Sequence, residues 1–536
     1  MRSLTSKLLP PASGAAVLDT TTFIMIAAAL NAALYHLPLF YFAWRNLDLS
    51  TFTGALTLAT LGIALLLETG VLLILLALIS QRLLKVLCCA LALGNAVALY
   101  FLTTYHVVLD ATMMGNVLNT NFAEAAEFLH PMLLGYLLVV GVLPCWLVAR
   151  VRIRRSSRSR LALAVLACLS LAAIAAYLSG PAWPWIDQNS KRVGGLILPW
   201  SYLINGARHV LSRVLTSETQ VPLPPATFAS SEKTVVILVI GEAARARNFA
   251  LYGYPRPTNP LLSRAGVIPL RNASACATYT NAAIRCILSN LGSGSAFSRP
   301  YEPLPSYLQR SGVDVIWRSH NFGEPPIKVQ SYQRAGDLAP SCTGPHCAYD
   351  EVLLAGLEPR IRASPRRNVL VVLHQSGSHG PAYYTKYPPE FERFTPVCKS
   401  VELSRCTPQQ LLNAYDNTIV YEDYFLSQTI GVLKKLQNTR ALLIYISDHG
   451  ESLGEHGWYQ HGVPYSIAPE EQKKVPFILW MSAEFSRSNA VPAARLAAQP
   501  AHSQRDVFHT IMGAFSMRSD AYQPEFDVLS GAFVGP

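Results

Sequence analysis

The stretch Thr234-Val235-Val236-Ile237-Leu238-Val239-Ile240-Gly241-Glu242-Ala243-Ala244-Arg245 decides the fold of the second half of the chain. Its first seven residues are β-branched or leucine, without the polar alternation of a half-exposed strand. Such a run predicts a strand buried on both faces, the situation of sheets flanked by helices. A small residue and then Glu242 follow at once. In sheets of that kind, ligands sit beyond the carboxyl ends of the strands.

Further along, Val313–Trp317, Asn368–Leu373, Ala441–Ser447 and Val475–Trp480 repeat the pattern between amphipathic stretches. Residues 234–536 therefore read as an α/β domain with a mainly parallel central sheet. After the run ending at Leu373 comes His374-Gln375-Ser376-Gly377-Ser378-His379, and after the run ending at Ser447 comes Asp448-His449-Gly450-Glu451-Ser452. Glu242, Asp448 and His449 offer two hard oxygens and one borderline nitrogen, a set that suits zinc and, less well, manganese. A catalytic site of this type leaves one position for a hydroxyl, which a cation activates as a nucleophile. Thr280, between Cys276 and Cys286, is a candidate, although spacing alone does not lift it above other hydroxyls.

The first third of the chain reads differently. The 536 residues are 51% hydrophobic and 14% charged, against about 25% charged in soluble domains. The deficit falls on five apolar runs, Thr22–Trp44, Thr53–Ile79, Leu83–Tyr105, Met132–Ala149 and Leu161–Leu178. Each approaches the roughly 20 residues a membrane-crossing helix requires. Basic residues are retained on the cytoplasmic side. Arg2 and Lys7, Arg82 and Lys85, and the cluster Arg150, Arg152, Arg154, Arg155, Arg158 and Arg160 all fall on one side of a five-span layout. The N-terminus is then inside and everything after Leu178 outside. This divides the chain into a transmembrane domain, 1–180, an interfacial linker with an amphipathic helix at Tyr202–Leu215, 181–233, and the outer catalytic domain, 234–536.

Cysteines agree with that orientation. Cys276 with Cys286, Cys342 with Cys347, and Cys398 with Cys406 are close pairs without C-x-x-C spacing, which suggests disulfides formed in an oxidising compartment. Cys88, Cys89, Cys145 and Cys168 lie in the spans as small packing residues. The net charge of +11 is diffuse. It fits an anionic membrane surface and forms no basic, aromatic-interleaved stripe, so no nucleic-acid partner is expected.

Five motifs then carry a resemblance: Val239–Arg245, Tyr252-Gly253-Tyr254-Pro255-Arg256-Pro257-Thr258-Asn259-Pro260, Cys276–Cys286, Ser378-His379-Gly380-Pro381, and Ser447–Glu455. In that order they resemble the bacterial phosphoethanolamine transferases, which include the lipid A modifying and mobile colistin-resistance enzymes, within the alkaline phosphatase and sulfatase superfamily. The resemblance implies a five-helix transmembrane domain followed by an alkaline phosphatase/sulfatase-like domain, in the inner membrane with catalysis in the periplasm. It implies zinc held by Glu242, Thr280, Asp448 and His449, with Thr280 as the nucleophile, and His379 and His461 on the phosphate side. The donor would be phosphatidylethanolamine, the acceptor lipid A or another envelope glycolipid such as lipopolysaccharide core, and the protein a monomer.

In the loop between the third and fourth runs, Asn116, Thr120 and Glu124 recur at intervals of four and would share one helix face; the resemblance places matching residues at the donor site. Two departures bear on acceptor choice. Asn321 is followed by Phe322-Gly323-Glu324-Pro325-Pro326, without the lysine of many relatives, and Ser376 stands where methionine is frequent. Lipoteichoic acid synthases, which move glycerol phosphate, resemble the same layout, and a non-catalytic membrane sensor is the rival from another class. A sulfatase is disfavoured because Thr280-Asn281-Ala282-Ala283-Ile284 lacks the Cys or Ser and the Pro that formylglycine formation requires.

Overall fold

The computed structural model describes residues 17–120, 125–126, 128–215, 220–292, 301–488 and 491–534. Arg2, Lys7 and Glu124 lie outside them, as does the side chain of Asn116. The chain divides into two compact units, residues 1–114 with 129–210, and residues 115–128 with 211–536.

Among the described residues of the first unit four helices are long and apolar enough to cross a membrane: Phe52–Ile79, Gln81–Thr104, Pro131–Arg150 and Arg158–Leu178. The first apolar run is not one straight helix. It is a pair, Thr20–Tyr35 and Leu37–Asn46, bent by 60°. The break falls at His36, where Pro38 in the next turn lacks the N–H that would continue the hydrogen-bond ladder. The His36 ring fills the gap: Nδ1 donates to Asn31 O at 3.1 Å and Nε2 accepts Leu198 N at 3.1 Å. Between helices, Asn31 donates to Thr69 (3.2 Å), Asn95 to Asn31 (3.2 Å) and the Tyr202 hydroxyl to Asn95 (3.0 Å). Such bonds hold apolar helices together where water supplies no hydrophobic drive. Trp200–Leu215 is a single helix.

The second unit is built on a seven-stranded sheet. In chain order its strands are β1 (Thr234–Gly241), β2 (Ile268–Leu270), β3 (Asp314–Ser319), β4 (Ser331–Arg334), β5 (Asn368–His374), β6 (Arg440–Ser447) and β7 (Phe477–Met481), and their spatial order is β2-β7-β6-β1-β5-β3-β4. The sheet is mixed. β7 runs antiparallel to both β6 and β2, and the remaining neighbours are parallel. The reversal arises because the chain between β6 and β7 stays at the rim it has reached and forms the site loops, so β7 returns across the sheet. Strand β1 is buried throughout. Val236, Leu238 and Ile240 enter one core, with Phe508 and Ile511, while Val235, Ile237 and Val239 enter the other, with Tyr415 and Ile419. Two apolar faces are the cause of the unbroken aliphatic run.

Register then places the chemistry. Gly241 pairs with Ser447, and Ile240 with His374, so three adjacent strands end at one rim. The helix Pro408–Lys434 crosses beneath it, started by a reciprocal cap in which the Thr407 hydroxyl accepts Gln410 N and the Gln410 side chain accepts Thr407 N. Disulfides join Cys276 to Cys286, Cys342 to Cys347 and Cys398 to Cys406.

Inside the Cys342–Cys347 loop, both nitrogens of His346 face carboxylates, Nδ1 toward Glu351 at 2.6 Å and Nε2 toward Glu390, with Phe391, Tyr421 and Tyr424 around the ring. Burial opposes the charge, but the hydrogen bonds to Glu390 and Glu351 outweigh it and raise the pKa. A raised folded value contributes stability that is full below the unfolded value, about 6.5, and is lost as pH rises through the folded one. The gap in thermal midpoint between the native protein and His346→Gln should therefore be widest below about pH 6.5 and narrow as pH rises above it. An unchanging gap across that range would show that the ring is not charged.

Candidate active site

Glu242 follows β1 directly, and the backbone around it is tightly constrained. Ala243 is held at φ +54°, a left-handed conformation costly for alanine. It is held from both sides: its N–H donates to Asp448 Oδ1 (3.0 Å) and its carbonyl accepts the Tyr415 hydroxyl (2.7 Å). Gly377 has φ +51°, and a Cβ there would lie 2.7 Å from the Glu242 carbonyl oxygen. The loop carrying Gly377 is held by Asp350, whose carboxylate accepts the N–H groups of Ser376 and Gly377 at 2.9 Å each, while Ser378 N donates to Glu242 O at 2.9 Å.

Four polar atoms converge above this floor. His449 Nε2 lies 3.3 Å from Glu242 Oε1, 3.3 Å from Asp448 Oδ2 and 3.3 Å from Thr280 Oγ1. The Thr280 hydroxyl also lies 3.2 Å from Glu242 Oε2, which accepts Asn321 Nδ2 at 2.7 Å. His449 Nδ1 is 2.9 Å from the Gly450 carbonyl, so the ring proton belongs on Nδ1 and Nε2 presents a lone pair. Among the described residues, no hydrogen-bond donor reaches Asp448 Oδ2. Glu242, Asp448 and His449 are buried. Buried lone pairs facing one another repel unless a cation lies among them. Two carboxylates, an imidazole and a hydroxyl within this span form a donor set that fits zinc.

Thr280 opens the helix Thr280–Ile287, with Tyr279 extended before it. Its oxygen thus sits where unpaired helical N–H groups favour negative charge. The approach to it is fixed at Thr278, whose hydroxyl donates to Val463 O (2.6 Å) and whose carbonyl accepts Gly462 N (2.7 Å). The same loop carries His461. The His461 ring centroid is 4.2 Å from that of His449 and 5.3 Å from that of His379. Ligand atoms of Glu242, His449 and His461 lie within 4.8 Å of one another, so His461 is as well placed to approach a cation as a phosphate. Behind it, His461 Nδ1 is 3.3 Å from Glu451 Oε2. Burial pushes His379 well below its ordinary pKa, reinforced by His461, and pushes His461 down to about 4. Both rings are therefore neutral at neutral pH.

The structure thus brings together Glu242, Thr280, Asp448, His449, His461 and His379. The outer-loop set is only partly described: the helix there spans Ala111–Asn119, half-buried Thr120 follows its end, and Glu124 and the side chain of Asn116 lie outside the described residues. Sequence reasoning missed the support residues Asn321, Glu451 and Asp350. Glu451, two residues past His449 in the same motif, is the one with a visible signal.

A membrane unit joined to a sheet whose rim gathers a cation-ready cluster around a threonine hydroxyl defines a membrane-borne enzyme of the sulfatase fold. Family comparison agrees: the sulfatase family model matches residues 234–517, and the model described as phosphoethanolamine transferase EptA/EptB matches residues 68–214. The chain is 39% identical over 516 residues to phosphoethanolamine transferase EptA of Helicobacter pylori, covering 94% of this chain and 95% of that one. It is 27% identical to the Kdo(2)-lipid A phosphoethanolamine 7''-transferase of Escherichia coli K12, over 92% and 93% of the two chains. Among solved structures, the integral membrane lipooligosaccharide phosphoethanolamine transferase A of Neisseria meningitidis superposes with a TM-score of 0.87 at 26% identity, covering 96% of this chain and 98% of that one. On that similarity, this chain belongs to the phosphoethanolamine transferase family.

Proposed function

We propose that the protein transfers phosphoethanolamine from phosphatidylethanolamine to lipid A or a neighbouring envelope glycolipid through a phospho-Thr280 intermediate. The observation that carries this reading is the Thr280 hydroxyl facing Glu242 and the lone pair of His449 in a buried site. Zinc held by Glu242, Asp448, His449 and Thr280 would lower the pKa of that hydroxyl and screen the phosphate charge.

The remaining work falls to the chain's own groups. Thr280 Oγ1 forms a bond to phosphorus, the bond from phosphorus to the glycerol oxygen breaks, and diacylglycerol leaves. One of the neutral imidazoles, His379 or His461, takes up the proton released from the Thr280 hydroxyl and passes it to that leaving oxygen. A phosphate or sugar oxygen of the acceptor then attacks the same phosphorus, and Thr280 is regenerated as its bond breaks. The lipid A acceptor is supported by the activity named for the E. coli relative. Asn116, Thr120 and Glu124 are proposed to hold the donor's ethanolamine group.

Because both substrates are lipids, confinement to a membrane supplies proximity that a soluble enzyme would lack. We read the four long helices and the bent pair as five spans in the inner membrane, 1–180, followed by the interfacial segment 181–233 and a periplasmic domain, 234–536. The disulfides and the basic residues of the short loops support that orientation.

The test is the donor half-reaction. Detergent-purified protein with zinc and labelled phosphatidylethanolamine should release diacylglycerol and gain one phosphoethanolamine mass on the peptide carrying Thr280. Turnover with phosphatidylglycerol in place of phosphatidylethanolamine would move the assignment to glycerol-phosphate transfer.

A further inference from the structure

Behind the site lies a fully buried amide that none of the chemistry above uses. Gln504 follows a short strand, His502–Ser503, which pairs in parallel with Ala273–Ser274, so it comes to lie beside Cys276 at the start of the nucleophile segment. Its carboxamide is used at both ends. Oε1 accepts Cys276 N at 2.8 Å. Nε2 donates to Ser447 O at 2.8 Å and also to Asp448 O. One side chain thus spans the segment that ends in Thr280 and the turn that presents Asp448 and His449.

We propose that Gln504 is a positioning residue for Thr280: its carboxamide sets the separation between the Ser447–Asp448 carbonyls and the Cys276 amide, and thereby the distance from the Thr280 oxygen to His449 and the carboxylates. The inference rests on the reading of Thr280 as nucleophile beside a cation. Three properties of the arm support it. Only a primary amide offers two N–H donors and one acceptor in a plane, the set these three backbone groups require. The arm is rigid at its base: Gln504 N donates to Ser274 O (3.2 Å), and Asp506 accepts Ser503 N (2.8 Å) ahead of the helix Asp506–Ala514, which buries Val507, Phe508, Ile511 and Met512. Between Cys276 and Thr280 the same segment is tied a second time, by Thr278 to the His461 loop. Gln504 at Cys276 and Val463 at Thr278 thus give the approach to Thr280 two successive supports.

The test uses the full-length protein in detergent with Gln504→Met, Gln504→Glu and Val507→Ala. Gln504→Met keeps the length and removes every hydrogen bond; Gln504→Glu keeps the shape and turns a carboxylate toward two carbonyl oxygens. Three quantities are read: kcat and KM for diacylglycerol release, zinc affinity by competition with a chelating dye, and thermal midpoint. For Gln504→Met we expect kcat to fall about 10- to 100-fold with KM for the donor within about twofold, and zinc affinity to fall about tenfold. Gln504→Glu should fall further. Val507→Ala, on the same helix, should lower the thermal midpoint comparably while leaving kcat and zinc affinity within about twofold of the native protein.

If Gln504→Met matched Val507→Ala in all three readouts, the amide would be ordinary structure and the inference overturned. Should Gln504→Met not fold, the same comparison is made with Gln504→Glu. A failure of the underlying reading looks different: Thr280→Ala would then release diacylglycerol as fast as the native protein. Zinc affinity would in that case decide the role of Gln504 alone, an unchanged value overturning it.

Discussion

Thr280→Ala is expected to lower diacylglycerol release by on the order of 10⁴-fold or more, with no mass added to the peptide carrying residue 280. The size follows from what disappears together: the attacking oxygen, one of the converging cation-facing groups, and the only hydroxyl within 3.3 Å of both Glu242 and His449 among the described residues. Cβ and the backbone remain, so the opening turn of the helix Thr280–Ile287 and the adjoining disulfide should be undisturbed. The thermal midpoint should accordingly move little. Thr280→Ser, which restores an oxygen on the same backbone, should recover activity to within about tenfold of the native protein, the freer hydroxyl rotation accounting for the shortfall. Retained turnover in Thr280→Ala would remove the covalent intermediate and leave direct transfer to the acceptor as the only route.

The second large effect should come from a residue that makes no chemical contribution. Gly377→Ala adds a methyl group 2.7 Å from the Glu242 carbonyl oxygen, 2.8 Å from its nitrogen and 2.9 Å from its Cβ. These are main-chain atoms and the root of a side chain, so no flexible tip can swing aside. The left-handed φ of +51° adds a backbone penalty of about 1 kcal/mol. With the clash, a stability loss of roughly 3 kcal/mol is expected. Relief would have to come from pushing Glu242 away from His449 or tearing the Ser376 and Gly377 amides from Asp350. Either displaces the carboxylate by a substantial fraction of an ångström, which at a reacting centre costs on the order of 10²-fold in rate. Activity should therefore fall even at temperatures where the variant is folded. A variant of native thermal midpoint and rate would mean that the Gly377 loop is free to move off Glu242.

How much of this was legible beforehand depends on which interactions write themselves into local pattern. The central strands announce themselves because burial on two faces demands unbroken aliphatic runs, and their bounds shift by only a residue or two. The edge strands do not. Ile268–Leu270 spans three residues, and Ser331-Tyr332-Gln333-Arg334 is polar, because an edge faces solvent and carries no such demand. The reversal of β7 is likewise invisible, since strand direction depends on where the preceding loop ends. In the membrane unit, helix length can be read from hydropathy, whereas the bend at His36 depends on a ring that caps an amide of Leu198 far along the chain.

The site divides along the same line. Glu242, Asp448 and His449 follow strand ends and can be found by that rule alone. Thr280 follows no strand and emerged through resemblance. Asn321 and Gln504 act through hydrogen bonds to residues more than fifty positions away, and a glutamine in a polar loop carries no local mark of such a task.

The facing lone pairs of Glu242, Asp448 and His449 also bear on how long the protein lasts in the cell. If the proposed cation binds there only when the chain is folded, free metal becomes a term in the folding equilibrium. At a free concentration one hundred times the dissociation constant, the folded form gains about 2.7 kcal/mol. Under that proposal, metal scarcity would thin the population of intact molecules through proteolysis as well as idle those that remain, and supply of the ion would bear on copy number as well as rate.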